Sequence, residues 1–318
     1  MARISEKNRA NVKILLADND PVMRQGLRNA LANEGYKDVR AAGRLTMVRE
    51  VMTAALVDLL ILDVDTPDGD AIELVTDIRN SRLGRNPFLP IIFVTWDTDP
   101  VTINRAANSG VDFILMKPLS PSQLFGRIKS LVSDRKPFVA TPGYIGPERR
   151  EKERWGDTRH FEVPNTLRDK LDGKPFDPAA MSSQIEIVMQ QMVSSRLELS
   201  ATNLVANIGK ICSAYDKAKT LAGTEAAFAA VIATASEIQA LGKGDITKLS
   251  ASLIRIVAQM RRNLADVDVK QIELLTPLTQ SILLAANPNL QQPAVMDEIS
   301  RAVARFAPKS HTPAVEAA

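Results

Sequence analysis

The chain has 318 residues, 45% of them hydrophobic, with Lys+Arg 40 against Asp+Glu 37 and a formal charge of +3. That length suits two domains at ~150 residues each, and the even charge balance excludes a strongly basic nucleic-acid binder. A single cysteine, Cys212, excludes an internal disulfide, and no apolar run approaches the ~18 residues of a membrane span.

The polar opening MARISEKNRANV lacks the character of a secretory signal, so a cytoplasmic protein is expected. Five strands are predicted next: VKILLAD (12–18), DVRAA (38–42), LLILDVD (59–65), PIIFVTWD (90–97) and DFILMKP (112–118). Three of them are nearly continuous apolar runs, as parallel strands covered on both faces require. Helical spacing lies between them, as in Met23, Leu27, Ala30 and Leu31, or Ile72, Val75 and Ile78, and PSQLFGRIKSLV (121–132) closes the set. Alternating strands and helices predict an α/β doubly wound, five-stranded parallel sheet of flavodoxin-like type over residues 1–135.

Residues 136–177 change character. PFVATPGYIGPERREKERWGDTRHFEVPN mixes Pro, Gly and both charges and reads as an exposed linker. An all-α domain is expected over 178–308, followed by a tail at 309–318. Its segments include SSRLELSATNLVANIGKICSAYDKA, EAAFAAVIATASEIQAL, ITKLSASLIRIVAQMRRNL, VKQIELLTPLTQSILLAA and VMDEISRAVARF. Leu249, Leu253, Ile256 and Met260 form one apolar stripe, and Asp245 and Thr247 stand where a helix cap is expected. Cys212, Met181, Met189 and Met192 read most simply as core residues.

In a doubly wound sheet, ligands bind outside the carboxyl ends of the strands. Asp18, Asp63, Thr95 and Lys117 each end a different predicted strand, so they converge on one rim. Taken singly, each has a bland reading as a turn or surface residue. The set as a whole (DND at 18–20, Asp63 with Pro67 four residues on, Thr95, and Lys117-Pro118) resembles the receiver domain of two-component response regulators, the CheY-like family, over residues 12–133. PGYIGPERRE resembles a segment that trails some stand-alone bacterial receivers.

The resemblance implies a job for each position. Asp63 is the phosphoryl acceptor, and Lys117 and Thr95 meet phosphoryl oxygens. Asp18, Asn19, Asp63 and the backbone carbonyl of Asp65 hold Mg²⁺, and Lys117-Pro118 carries a cis peptide. The donor is a sensor histidine kinase or a phosphotransfer protein. Such a protein turns over no substrate beyond assisting its own phosphoryl transfer and loss.

Four positions depart from the family's pattern. Asn19 stands where a second acid is usual, and Asp20 replaces it only if the turn presents it inward. Trp96 occupies the place of a small residue, either shielding the site or swinging outward toward a partner. Ile114 stands where an aromatic switch is usual, with Phe113 pointing to the opposite face, and Ala71 replaces a glycine.

The main reading is therefore a response regulator whose helical half binds a protein partner or forms a homodimer. A second reading is a pseudo-receiver scaffold that binds without phosphorylation. A third takes DVDT (63–66) as the Asp-x-Asp motif of haloacid-dehalogenase-type phosphatases, though there the motif ends the first strand. Residues 176–318 carry 13 basic and 13 acidic side chains, which argues against DNA as the output's target. His160 and His311 fall outside the predicted helices, which argues against histidine phosphotransfer.

Overall fold

A computed structural model of the chain describes residues 6–149, 159–218, 220–221, 223–262, 264 and 268–287. Packing divides it into two units, one running to Met192 and the other beginning at Val193.

The first unit opens with α1 (Glu6–Ala10), β1 (Lys13–Ala17), α2 (Pro21–Asn33), β2 (Asp38–Ala42), α3 (Leu45–Ala54) and β3 (Leu59–Asp63). It continues through α4 (Ala71–Arg79), β4 (Ile91–Thr95), α5 (Pro100–Asn108), β5 (Phe113–Met116) and α6 (Pro121–Ser133). The five strands form one parallel sheet in the order β2-β1-β3-β4-β5. All five residues of β3 and of β4 are buried, because central strands are covered on both faces. Side chains alternate between the faces with period two. Leu15, Leu60, Leu62 and Phe93 enter one core, while Ile14, Leu16, Ile61 and Ile92 enter the other.

Local chemistry starts the helices on the rim. The side chains of Asp20, Asp70, Asp99 and Ser120 accept from backbone amides at the starts of α2, α4, α5 and α6. Pro21, Pro100 and Pro121 occupy the opening position of a helix, where the missing N–H costs nothing.

The described part of 136–177 departs from the exposed linker expected there. β6 (Phe138–Thr141) and β7 (Tyr144–Pro147) form an antiparallel hairpin, β8 (His160–Phe161) adds a third strand, and α7 (Thr166–Leu171) follows. The Pro142-Gly143 pair that suggested a linker is the hairpin turn, with Gly143 at φ 75°. Phe138 meets Phe88 edge to face at 5.7 Å. Gly146 crosses Gly110 so closely that a Cβ there would lie 2.6 Å from the Gly110 Cα. Leu167 and Leu171 join the core that holds Ile14 and Leu16, and Asn165 Nδ2 donates to the Leu131 carbonyl at 2.8 Å.

A buried ionic knot lies beneath the hairpin. Arg79, 1% exposed, donates to the carbonyls of Gly110, Pro87 and Leu89, each at 2.7 Å, and pairs with Asp112 at 3.1 Å. Arg135 pairs with the same carboxylate at 2.7 Å. Both guanidiniums lie over the Phe138 ring. Burial pulls Arg79 down to about 10, against the opposing pull of Asp112.

The helix α8 (Pro178–Ala218) spans the boundary between the units, and α9 (Glu225–Leu241), α10 (Asp245–Arg261) and α11 (Val269–Ala286) belong to the second. Leu204, Ile211, Phe228, Ile238, Leu253 and Leu275 fill the helical core, with Cys212 packed at its margin. Met189 and Met192 pack with Phe138 in the first unit instead. Arg196 on α8 pairs with Glu237 on α9 at 2.6 Å. Neither Asp245 nor Thr247 caps α10, contrary to expectation. Gly244 at φ 64° occupies the cap position, and the Asp245 carboxylate pairs with Lys248. The helix expected over 295–306, the tail at 309–318 and His311 lie outside the described residues. Among the described residues no helix is long and apolar enough to cross a membrane.

Candidate functional site

Parallel strands in register bring their carboxyl ends to one edge, and four of those ends carry the expected residues. Asp63 is the last residue of β3 and Thr95 the last of β4, while Asp18 and Lys117 directly follow β1 and β5. All four are buried, Asp63 to 2% exposure. The Lys117 ammonium lies 2.9 Å from Asp18 Oδ2 and 3.0 Å from Asp63 Oδ2. The second oxygen of each carboxylate takes a backbone amide, Asp20 N to Asp18 Oδ1 at 2.8 Å and Asp65 N to Asp63 Oδ1 at 3.3 Å. The Lys117-Pro118 peptide is cis.

Burial pushes the Asp63 carboxyl above its ordinary value. The bond and charge of Lys117 oppose this without cancelling it, and Asp18 adds to the rise. For Lys117, burial works against the ammonium, yet its bonds to Asp18 and Asp63 outweigh that and hold it above its usual value. Two carboxylates facing one ammonium leave an excess negative charge in a water-poor pocket.

The oxygen donors at this edge fit Mg²⁺. Among the described residues no three His, Cys, Asp or Glu side chains group as a metal cage. The site instead offers the Asp18 and Asp63 carboxylates, with Asn19 Nδ2 3.5 Å from the Asp65 carbonyl oxygen beside them. A half-turn of that amide presents its oxygen to the same space. One or two carboxylates, neutral oxygens and retained waters are the hard, oxygen-only set that Mg²⁺ takes.

The departures resolve as follows. Asp20 does not replace the missing acid, because its carboxylate caps α2 through Val22 N and Met23 N. Trp96 is 58% exposed, so most of its ring surface meets solvent. Ile114 packs with the Leu60 and Phe93 core. Phe113 turns to the opposite core, where the Arg127 guanidinium covers its ring at 5.0 Å. Ala71 is buried at the start of α4 and leaves the Asp70 cap intact. The other acids of the 63–70 stretch are also placed: Asp68 takes a left-handed turn at φ 73° and pairs with Arg44, and Asp70 pairs with Arg105 at 2.8 Å.

Three contacts escaped the sequence reading. The Thr66 hydroxyl, buried, donates to the Asp63 carbonyl at 2.8 Å. Arg24 Nη1 donates to the Asp18 carbonyl. Asp97 N donates to Thr95 Oγ1 at 2.9 Å. Only the third had a sequence signal, the Thr-x-Asp spacing of a side-chain turn.

The family described as the response regulator receiver domain matches residues 14–129. Residues 14–129 form a response regulator receiver domain. The chain is 30% identical over 151 residues to the transcriptional regulatory protein AruR of Pseudomonas aeruginosa, a match covering 46% of this chain and 58% of AruR. It is 35% identical over 119 residues to GltR of the same organism, covering 37% and 48%. With PdtaR of Mycobacterium tuberculosis it shares 29% identity over 133 residues, covering 42% and 62%. The chain thus spans about half to three-fifths of the length of these curated relatives. Among solved structures, a CheY-like receiver domain protein from Methanospirillum hungatei is 26% identical, with 37% of this chain and 91% of that one covered and a TM-score of 0.35. The strand order places Asp63 at the end of the third strand in sequence, so the receiver assignment replaces the phosphatase reading of DVDT.

Proposed function

We propose that this chain is a response regulator that accepts a phosphoryl group on Asp63 and passes the resulting change to its helical unit. The observation that carries the reading is the Lys117 ammonium held between Asp18 and Asp63. A carboxylate attacking phosphorus brings anionic oxygens together, and a fixed cation beside it offsets that repulsion. An Asp63 oxygen forms the new bond to phosphorus while the donor's bond breaks and its nitrogen leaves with the electron pair. A sensor histidine kinase or a phosphotransfer protein serves as the donor. Lys117 holds one phosphoryl oxygen and the Thr95 hydroxyl another. Asp18, Asn19, Asp63 and the Asp65 carbonyl would hold Mg²⁺, which would supply further positive charge at this site. The helical unit is the interaction surface for a protein partner or a second copy of the chain.

The pseudo-receiver reading is favoured by one observation, the absence of a second free acid beside Asp18, since Asp20 caps α2. Borohydride trapping separates the two. After incubation with acetyl phosphate and Mg²⁺, an aspartyl phosphate is reduced to homoserine, and peptide mass mapping should place it at position 63. Its absence there, with the protein folded, favours the scaffold.

A further inference from the structure

On the same rim, beside the acceptor site, a groove of about 620 Å³ opens between α2, the end of β2 and the start of α3. It falls within the ~300–1,000 Å³ range of small-molecule sites. Arg24, Arg28 and Arg44 line it, with Asn19 at the end nearest Asp63 and Met47 as an exposed apolar wall. No carboxylate lines it.

Arg24 and Arg28 stand one turn apart on α2, where like charges repel. Arg24 is held in place by its bond to the Asp18 carbonyl. A Cβ at Gly43 would lie 3.3 Å from Arg24 Nη1, so a side chain there would crowd the guanidinium. Arg28 is exposed and has no ion pair or hydrogen bond among the described residues. Arg44 shares its charge with the exposed Asp68 at 3.3 Å. Three guanidiniums around a groove that no carboxylate lines, with only Arg44 shared with an acid, Asp68, suit a phosphoryl group, which arginine's planar fork binds through paired hydrogen bonds. The exposed Met47 beside them suits the organic part of a ligand.

We propose that this groove binds a phosphate-bearing small molecule of mononucleotide size, with Arg24, Arg28 and Arg44 on the phosphate and Met47 on the remainder. The site is distinct from Asp63. Through Arg24, which holds the Asp18 carbonyl, and Asn19, which the two sites share, its occupancy reaches the metal ligands. By linkage, a ligand that shifts Mg²⁺ affinity has its own affinity shifted equally by Mg²⁺.

The test is isothermal titration of the full chain with adenosine 5′-monophosphate and, separately, with pyrophosphate. Mg²⁺ is omitted so that the excess negative charge at Asp18 and Asp63 repels anions from the acceptor site. Saturable one-to-one binding of adenosine 5′-monophosphate is expected, weakened about tenfold or more by Arg28→Ala. Arg105→Ala, which removes a rim arginine outside the groove, should leave affinity unchanged. Pyrophosphate binding as tightly as the nucleotide would overturn the role given to Met47. No saturable binding of either probe, or equal losses in the Arg28 and Arg105 variants, would overturn the site itself.

Discussion

The Asp97 amide donates to the Thr95 hydroxyl at 2.9 Å, and this bond begins a chain that ends at the start of α5. Asp99 N donates to Asp97 Oδ1 at 2.7 Å, and Asp99 Oδ2 accepts from Thr102 N at 3.3 Å in the first turn. The residue tied to Thr95 by this chain is therefore a helix cap. With Ile114 in place of an aromatic, we propose this chain of bonds as another route from Asp63 to the surface. Rotation of the Thr95 side chain toward a phosphoryl group on Asp63 would carry Oγ1 away from the Asp97 amide and so release that bond. Hydrogen exchange of the α5 amides, with and without beryllofluoride, should show the first turn exchanging faster in the wild-type protein once the mimic binds. In Asp99→Ala, which loses the cap at a cost of about 0.5–2 kcal/mol to the helix, that turn should exchange fast in both states. A mimic that binds yet leaves wild-type exchange at 100–108 unchanged would break the proposed link.

Restoring an acid beside Asp18 should strengthen the metal site. Asn19→Asp adds a carboxylate next to the two already present, and a rise of about tenfold or more in Mg²⁺ affinity is expected, corresponding to about 1.4 kcal/mol. Calorimetric titration with MgCl₂ measures it, and chelation should reverse it. Equal affinity in both proteins would mean that residue 19 faces away from the metal.

Two glycines, Gly146 at the crossing with Gly110 and Gly126 inside α6, respond oppositely to an added methyl. Gly146→Ala should destabilise the first unit by about 1–3 kcal/mol, because its Cβ would meet the Gly110 Cα at 2.6 Å. Gly126, inside α6 with nothing near it, should gain up to about 1 kcal/mol on substitution by Ala. Urea denaturation of the two variants, side by side, checks both signs.

Arg79 should be among the costliest single positions to change. Arg79→Ala leaves Asp112 with Arg135 and the Ile91 amide and strips three carbonyls of their donor. Breaking a buried pair in this way typically costs about 3–5 kcal/mol. A midpoint shift corresponding to less than about 1 kcal/mol in the same urea experiment would show that water reaches the knot.

The sheet was legible because its central strands are continuous apolar runs, and Asp18, Asp63, Thr95 and Lys117 were legible because each ends such a run. Helices α9 and α11 match the expected segments EAAFAAVIATASEIQAL and VKQIELLTPLTQSILLAA end to end. The hairpin at 138–147 was not legible, since strands of four residues carry too little alternation to outweigh the Pro and Gly of their turn. Arg79 was hidden for a different reason. A charged residue at the end of a helix reads as solvated, and its burial depends on carbonyls supplied from 87, 89 and 110. The chain from Thr95 to Thr102 runs through side-chain-to-amide bonds whose closure depends on backbone turns that residue types alone do not fix.

Phosphoryl acceptance at Asp63 is the central claim, and intact mass after treatment with acetyl phosphate tests it most directly. The wild-type chain should gain the mass of one phosphoryl group in the presence of Mg²⁺ and none after chelation. Asp63→Asn should gain none under either condition. An unmodified wild-type protein at saturating Mg²⁺, or an equal gain in Asp63→Asn, would contradict the account.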